Sequence, residues 1–131
     1  MRTLLYVEDN PANRKLVENI IARHPDMLLQ TAVTGSLGIE LARETRPDVI
    51  LMDINLPDMS GIEALKILLA DPLTAHIPVI AVSANAMQLD VEQGLDAGFF
   101  RYITKPIKVK EFMQVLDMAL DHANSRAGPA A

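Results

Sequence analysis

The chain alternates short apolar runs with segments in which apolar residues recur every three or four positions. Such runs are typical of buried strands, and such spacing is typical of amphipathic helices. Strand character is found in five runs: Leu4–Val7, Met27–Ala32, Val49–Met52, Val79–Val82 and Phe99–Ile103. Helical spacing is found around Leu16–Ile21, Leu37–Ala42, Ile62–Leu69, Met87–Leu95 and Phe112–Leu120. This alternation predicts an α/β fold with a parallel sheet and helices on both faces.

The polarity of the strands predicts their order in the sheet. The first, third and fourth runs along the chain are apolar throughout, as expected for strands buried on both faces. The run from Met27 carries Gln30 and Thr31, and the last run carries Arg101. These two runs are therefore the predicted edges. A doubly wound, flavodoxin-like order 2-1-3-4-5 places them there.

Local signals predict where several helices begin and end. Asn10 followed by Pro11 indicates a helix N-cap and first turn. Pro25 is expected to end the first helix, and Gly98 the fourth. The residues after about His122 resemble a frayed end. We therefore expect one domain over residues 1–124, with residues 125–131 as a disordered tail or linker stub.

Composition argues against a nucleic-acid-binding protein, a membrane-spanning protein and a Cys-ligated zinc protein. The 131 residues carry a formal net charge of −5, from 12 basic and 17 acidic side chains. So acidic a chain is a poor nucleic-acid binder, because such binding depends on neutralising phosphates. No apolar run approaches the roughly 20 residues that a membrane-spanning helix needs. The sequence has no cysteine, which excludes a Cys-ligated zinc site and suits a cytoplasmic location.

Polar residues follow the ends of the apolar strands. Glu8 and Asp9 follow the first strand, Asp53 follows the third and Ser83 the fourth. The fifth is followed by Thr104, Lys105 and Pro106. In an open α/β sheet, ligands bind outside the carboxyl ends of the strands. We therefore expect these side chains to converge on one rim of the sheet.

The chemistry of this set indicates a metal-assisted phosphoryl site. Three clustered carboxylates repel one another and need positive charge nearby. Lys105 supplies one charge, and a hard cation with oxygen ligands would supply more. The absence of His and Cys from the set favours Mg²⁺, or Mn²⁺, over zinc. Asp53 would be the covalent nucleophile, and the Ser83 hydroxyl would hydrogen-bond the transferred group.

Each residue also has a plain structural interpretation. Glu8 and Asp9 could be a charged helix start. Asp53 could be a turn residue, Ser83 a strand-end hydroxyl and Lys105 a solvated lysine. Their joint occurrence at four strand ends favours the functional interpretation.

Over about residues 3–122, the chain resembles the receiver domains of two-component response regulators and hybrid sensor histidine kinases. The resemblance is carried by Val7-Glu8-Asp9-Asn10, by Asp-Ile-Asn-Leu-Pro-Asp-Met-Ser-Gly at 53–61, by Val82-Ser83-Ala84, by Tyr102 and by Lys105-Pro106. The strand order 2-1-3-4-5 is also that of the family, so it is not independent of the resemblance.

The resemblance implies roles for the acidic residues. Asp53 would be the phosphoacceptor. Mg²⁺ would be bound by Asp9, by Asp53 and by the backbone carbonyl of Asn55, with Glu8 acting through water. Many members of the family have Asp where this chain has Glu8, and either acid preserves the chemistry.

The resemblance also implies a switch. Lys105 would contact the phosphoryl group, and its bond to Pro106 would be cis. Ser83, where many members have Thr, and Tyr102 would be the switch residues. Asn85, like Asn55, would flank the site and tune the phosphoryl lifetime, which the sequence leaves open.

The implied function is phosphorelay signalling. The donor would be a phosphohistidine on a histidine kinase or phosphotransfer domain. Phosphorylation would change the surface of the fourth predicted helix, fifth strand and fifth predicted helix, which binds a downstream protein. The isolated domain would catalyse only its own phosphorylation and dephosphorylation, and would bind neither nucleic acid nor membrane. Attachment to a hybrid kinase and weak homodimerisation stay open.

Two other classes of function are alternatives to this one. One is a pseudo-receiver, a protein-interaction module that is never phosphorylated. The other is a Mg²⁺-dependent phosphatase of the haloacid-dehalogenase type. That class needs Asp-x-Asp after its first strand and a lid, and the sequence shows neither.

Overall fold

The computed structural model describes residues 2–84 and 97–127, with side chains described up to residue 123. Five strands form one sheet: β1 (Arg2–Val7), β2 (Met27–Ala32), β3 (Val49–Asp53), β4 (Val79–Ser83) and β5 (Arg101–Thr104). Four helices are described: α1 (Pro11–Ile21), α2 (Gly35–Thr45), α3 (Gly61–Ala70) and a C-terminal helix (Val109–Ala127). The strands are parallel in the order β2-β1-β3-β4-β5, which confirms the predicted order and both edges.

Several element boundaries differ from those predicted. α1 ends at Ile21, four residues before Pro25, because the chain leaves the helix through turns in which Arg23 and His24 donate to carbonyls three residues back. The C-terminal helix extends to Ala127 rather than ending near His122, since neither Gly nor Pro occurs between Val109 and Gly128.

The remaining differences lie around β5. This strand begins at Arg101, and Phe99 packs in the core just before it. The fourth predicted helix, around 87–95, lies outside the described residues. Gly98, which was predicted to end it, has a φ of +117°. In the described part of the chain, no helix is long and apolar enough to span a membrane.

Both faces of the sheet are buried, and each face packs against a different pair of helices. Alternate residues of the strands point to opposite faces. One core includes Leu4, Leu51 and Val82 of the strands with Val17 of α1 and Phe112 of the C-terminal helix. The other core joins the opposite strand faces to α2 and α3, through residues such as Leu5, Met52, Ile39 and Leu65. This packing leaves the carboxyl ends of β1, β3 and β4 at a common edge.

Candidate functional site

The three predicted acids come together at the carboxyl ends of β1 and β3. Ligand oxygens of Glu8, Asp9 and Asp53 all lie within 4.8 Å of one another. An octahedral Mg²⁺ with oxygens at about 2.1 Å spans opposite ligands about 4.2 Å apart. Glu8 and Asp53 are buried whereas Asp9 is exposed, so the cluster opens to solvent on the Asp9 side. The set therefore fits a hard, oxygen-seeking cation.

Lys105 joins the two buried acids. Its Nζ lies 3.0 Å from Asp53 Oδ2 and 2.9 Å from Glu8 Oε1. The backbone N–H of Lys105 donates to the carbonyl of Ser83 at 2.8 Å, which fixes the start of the loop after β5 against β4. The Lys105–Pro106 peptide bond is cis, as predicted. The ammonium thus bridges the first and third strand ends.

Glu8 is held by a network that the sequence interpretation missed. Its Oε1 also accepts from the Tyr6 hydroxyl and from Asn13 Nδ2, both at 3.0 Å. Its Oε2 accepts from the Asn10 N–H at 3.3 Å. The side chain is fully buried and pairs with Lys105 as well as with the start of α1, so a charged helix start alone does not account for its contacts. Tyr6 lies two residues before Glu8 along the chain and so points to the same side, which was the available signal.

The predicted N-cap of α1 is confirmed and continues this network. Asn10 Oδ1 accepts from the N–H groups of Ala12 and Asn13, at 2.8 and 3.2 Å. Pro11 occupies the first turn. Because Asn10 and Asn13 also donate to Glu8, the start of α1 and the buried acid hold each other in place.

The electrostatic environment shifts the pKa values of the two buried acids, Glu8 and Asp53, in opposite directions. Burial raises the pKa of Asp53 to about 6, and the adjacent Glu8 adds to the rise. Burial acts in the same direction on Glu8, but two effects outweigh it and hold its pKa at about 2: the hydrogen bond that Asp53 donates to it when protonated, and the bond from the Lys105 ammonium. Burial lowers the pKa of Lys105, yet its bonds to the two acids raise it overall. At neutral pH the site therefore holds two buried carboxylates around one ammonium.

The loop from Asp53 to Gly61, here called the acceptor loop, is tightly closed. Asp53 Oδ1 accepts from the Asn55 N–H at 3.0 Å, and the Ile54 carbonyl accepts from the Gly61 N–H at 2.8 Å. Ser60 Oγ accepts from the Glu63 N–H at 3.1 Å and caps α3. A Cβ at Gly61 would lie 2.6 Å from the Asp53 carbonyl oxygen, so glycine is required there. The loop thus fixes the Asn55 backbone next to Asp53.

The two predicted switch residues lie on β4 and β5. Ser83 ends β4 and is buried, and its strand register places it one residue beyond the partner of Asp53. Ser83 pairs in register with Thr104 on β5. Tyr102, also on β5, is half-buried and packs against the core formed with α2 and α3. Asn85 lies outside the described residues.

Comparison with known proteins gives the family. A family model for the response regulator receiver domain matches residues 4–117. The chain belongs to this family. It is 43% identical over 122 residues to the polar-differentiation response regulator DivK of Brucella anthropi, a match that covers 93% of this chain and 98% of that protein. It is therefore a receiver domain of two-component signalling.

Solved structures agree with the receiver fold. The receiver domain of a sensor histidine kinase from Pseudomonas aeruginosa PAO1 is 33% identical, with a TM-score of 0.83 over 92% of this chain and 98% of that one. That structure contains a magnesium ion coordinated in its active-site cleft. The signal receiver domain of a putative Luxo repressor from Vibrio parahaemolyticus has a TM-score of 0.92 at 22% identity, covering 100% of this chain and 99% of that one. The latter supports the fold alone.

Proposed function

We propose that this receiver domain accepts a phosphoryl group on the Asp53 carboxylate from a phosphohistidine of a histidine kinase or phosphotransfer domain. The observation that carries the proposal is the Lys105 ammonium, which bridges Asp53 and Glu8 beside the exposed carboxylate of Asp9. In the transfer, an Asp53 oxygen forms a bond to phosphorus as the P–N bond to the histidine breaks. The imidazole leaves with the bonding electron pair.

Asp9, Asp53 and the Asn55 carbonyl would hold Mg²⁺, with Glu8 acting through water. The ion would neutralise charge on the phosphoryl oxygens. The acid cluster supports this assignment, because it offers the oxygen ligands that Mg²⁺ prefers. The related Pseudomonas receiver, with magnesium in its active-site cleft, supports it as well.

The other residues of the site would position the reacting groups. The Lys105 ammonium already contacts Asp53 Oδ2 and would also bind an oxygen of the phosphoryl group once it is transferred to Asp53. Glu8, held by the Tyr6 hydroxyl and Asn13, would keep that ammonium in place. Ser83, one strand away from Asp53, would donate its hydroxyl to a phosphoryl oxygen.

The output would be a population shift. When Ser83 moves to bind the phosphoryl group, the Tyr102 side chain on β5 would move with it. The population would then shift towards a state in which the surface around β5 and the C-terminal helix binds a downstream protein. We further propose residues 1–124 as the receiver proper and 125–131 as a tail or linker, whose first residues, 125–127, continue the C-terminal helix. We also propose the cytoplasm as the place of exchange. As an isolated domain it would catalyse only phosphorylation and dephosphorylation of Asp53.

Beryllofluoride binding tests this function against a pseudo-receiver. Beryllofluoride mimics a phosphoryl group on a carboxylate. With Mg²⁺ present, we expect the wild type to bind it and to show NMR shifts at Ser83 and Tyr102. Asp53→Asn should show none. A wild type that binds neither Mg²⁺ nor beryllofluoride would instead be a pure interaction module.

A further inference from the structure

The tip of the acceptor loop is tied to the start of α2 by one side chain. Asp58 Oδ1 accepts from the Gly35 N–H at 2.8 Å. Asp58 Oδ2 accepts from the Ser36 N–H at 3.0 Å and from the Ser36 hydroxyl at 2.9 Å. Both carboxylate oxygens are therefore engaged, and their partners lie at the positive end of a helix more than 20 residues earlier in the chain.

Packing at the same place supports the hydrogen bonds. A Cβ on Gly35 would lie 2.6 Å from Met59 Cγ and 2.8 Å from its Sδ. Met59 thus packs directly against the first residue of α2, and its side chain would have to shift if that residue carried a Cβ. The loop tip and the helix start are fitted to each other at two consecutive loop residues, Asp58 and Met59.

This attachment lies close to the proposed metal ligand. Only Leu56 and Pro57 separate Asp58 from Asn55, and the proline ring restricts the backbone between them. At its other end, the loop closes on the Asp53 backbone through Gly61. Asn55 itself is exposed, so its backbone position depends on how both ends of the loop are held.

We propose that Asp58 is a positioning residue: by tying the loop tip to α2, it holds the Asn55 carbonyl where the cation binds. The inference rests on the proposed function, because it assigns that carbonyl to Mg²⁺. A capping role alone would stabilise α2 without affecting the metal site. From the sequence, Asp58 is recognisable only as part of the loop motif at 53–61.

The chain offers a matched control in Thr34. Thr34 Oγ1 accepts from the Leu37 N–H at 3.1 Å and caps the same end of α2, and within the described residues its side chain forms no hydrogen bond to the acceptor loop. Asp58→Ala and Thr34→Ala both weaken this helix start, but only the first releases the loop. Isothermal titration with MgCl₂ alone, on both variants and the wild type, separates the two roles.

We expect Asp58→Ala to raise the Mg²⁺ dissociation constant about tenfold, the scale seen when residues that orient metal ligands are lost. Thr34→Ala should leave it within about twofold of the wild type. If Asp58→Ala is too unstable to titrate, Asp58→Asn replaces it. The amide keeps one acceptor oxygen, so a rise smaller than that of Asp58→Ala is expected from the partial loss of orientation.

Two results would overturn the proposal. If the Asp58 variant that folds binds Mg²⁺ as tightly as the wild type, Asp58 is only a helix cap. If Thr34→Ala weakens Mg²⁺ binding as much as Asp58→Ala does, the loss of affinity comes from the destabilised start of α2 and not from the released loop. Failure of the proposed function is distinguishable from both, since the wild type would then bind no Mg²⁺ in the same titration.

Discussion

Lys105 Nζ lies 3.0 Å from Asp53 Oδ2, although the two residues are 52 positions apart in the chain. The same ammonium lies 2.9 Å from Glu8 Oε1. Among residues 2–84 and 97–123, whose side chains the structure describes, no other cationic side chain forms an ion pair with either acid. The charge balance of the buried site in the metal-free protein therefore depends on Lys105.

Replacing Lys105 by Met should destabilise the metal-free protein by about 2–3 kcal/mol, because it leaves two buried carboxylates without their cation. Urea unfolding in the presence of a chelator measures the loss. Mg²⁺ should recover part of it, since the ion replaces the missing charge. Lys110→Met, at an exposed position of the C-terminal helix, is the control and should change stability little. Equal effects of the two substitutions would contradict the assigned role.

Removing the Tyr6 hydroxyl should cost about 1 kcal/mol, the scale of one buried hydrogen bond whose acceptor keeps other donors. Tyr6→Phe, Glu8→Gln and the double variant form a cycle that isolates the pair. We expect a smaller loss from Tyr6→Phe in the Glu8→Gln background. Strictly additive losses would show that the hydroxyl does not act on Glu8.

Gly61→Ala should destabilise the protein by about 2 kcal/mol, because the new Cβ would meet the backbone of Asp53 and Ile54. Gly35→Ala is the comparison, since its Cβ would meet mainly the flexible side chain of Met59. Thermal unfolding should therefore show a larger loss for Gly61→Ala. The reverse order would mean that the acceptor loop is free to shift.

Mg²⁺ affinity should fall as the pH drops below about 6. Burial raises the pKa of Asp53 to about 6, so in the metal-free fold the proton and the cation compete for this carboxylate. A carboxyl group with a raised pKa favours the fold at low pH, and this contribution is lost as the pH rises from about 4 through about 6. Titration calorimetry from about pH 5 to about pH 7 measures the competition. Affinity that does not change with pH would contradict the assignment of Asp53 as a ligand.

The sheet could be predicted from the sequence because a strand that is buried on both faces consists of consecutive apolar residues. The runs Leu4–Val7, Val49–Met52 and Val79–Val82, which lie within β1, β3 and β4, are apolar throughout. Gln30 and Arg101 mark the edge strands. The convergence of Asp53 and Lys105 then follows from topology alone, since parallel strands end at one rim. The roles given to these side chains came from chemistry and from resemblance.

Contacts between polar side chains on different elements could not be predicted in this way. The bonds from Asp58 to Gly35 and Ser36 join an exposed loop to a helix start, and hydrophobic periodicity carries no information about them. The burial of Glu8 was missed for a related reason. Its partners Tyr6 and Asn13 appear only once the strand and α1 are placed in space. The helix end at Ala127 was missed because polar residues without Gly or Pro are compatible with either state.

The most direct test of the central claim is phosphorylation by acetyl phosphate with Mg²⁺, followed by borohydride reduction and peptide mass spectrometry. Reduction converts an aspartyl phosphate to homoserine and so marks the residue that was modified. We predict one modified site, Asp53, in the wild type, and no incorporation in Asp53→Asn or when Mg²⁺ is chelated. Incorporation that persists in Asp53→Asn, or a mark on another acid in the wild type, would contradict the account.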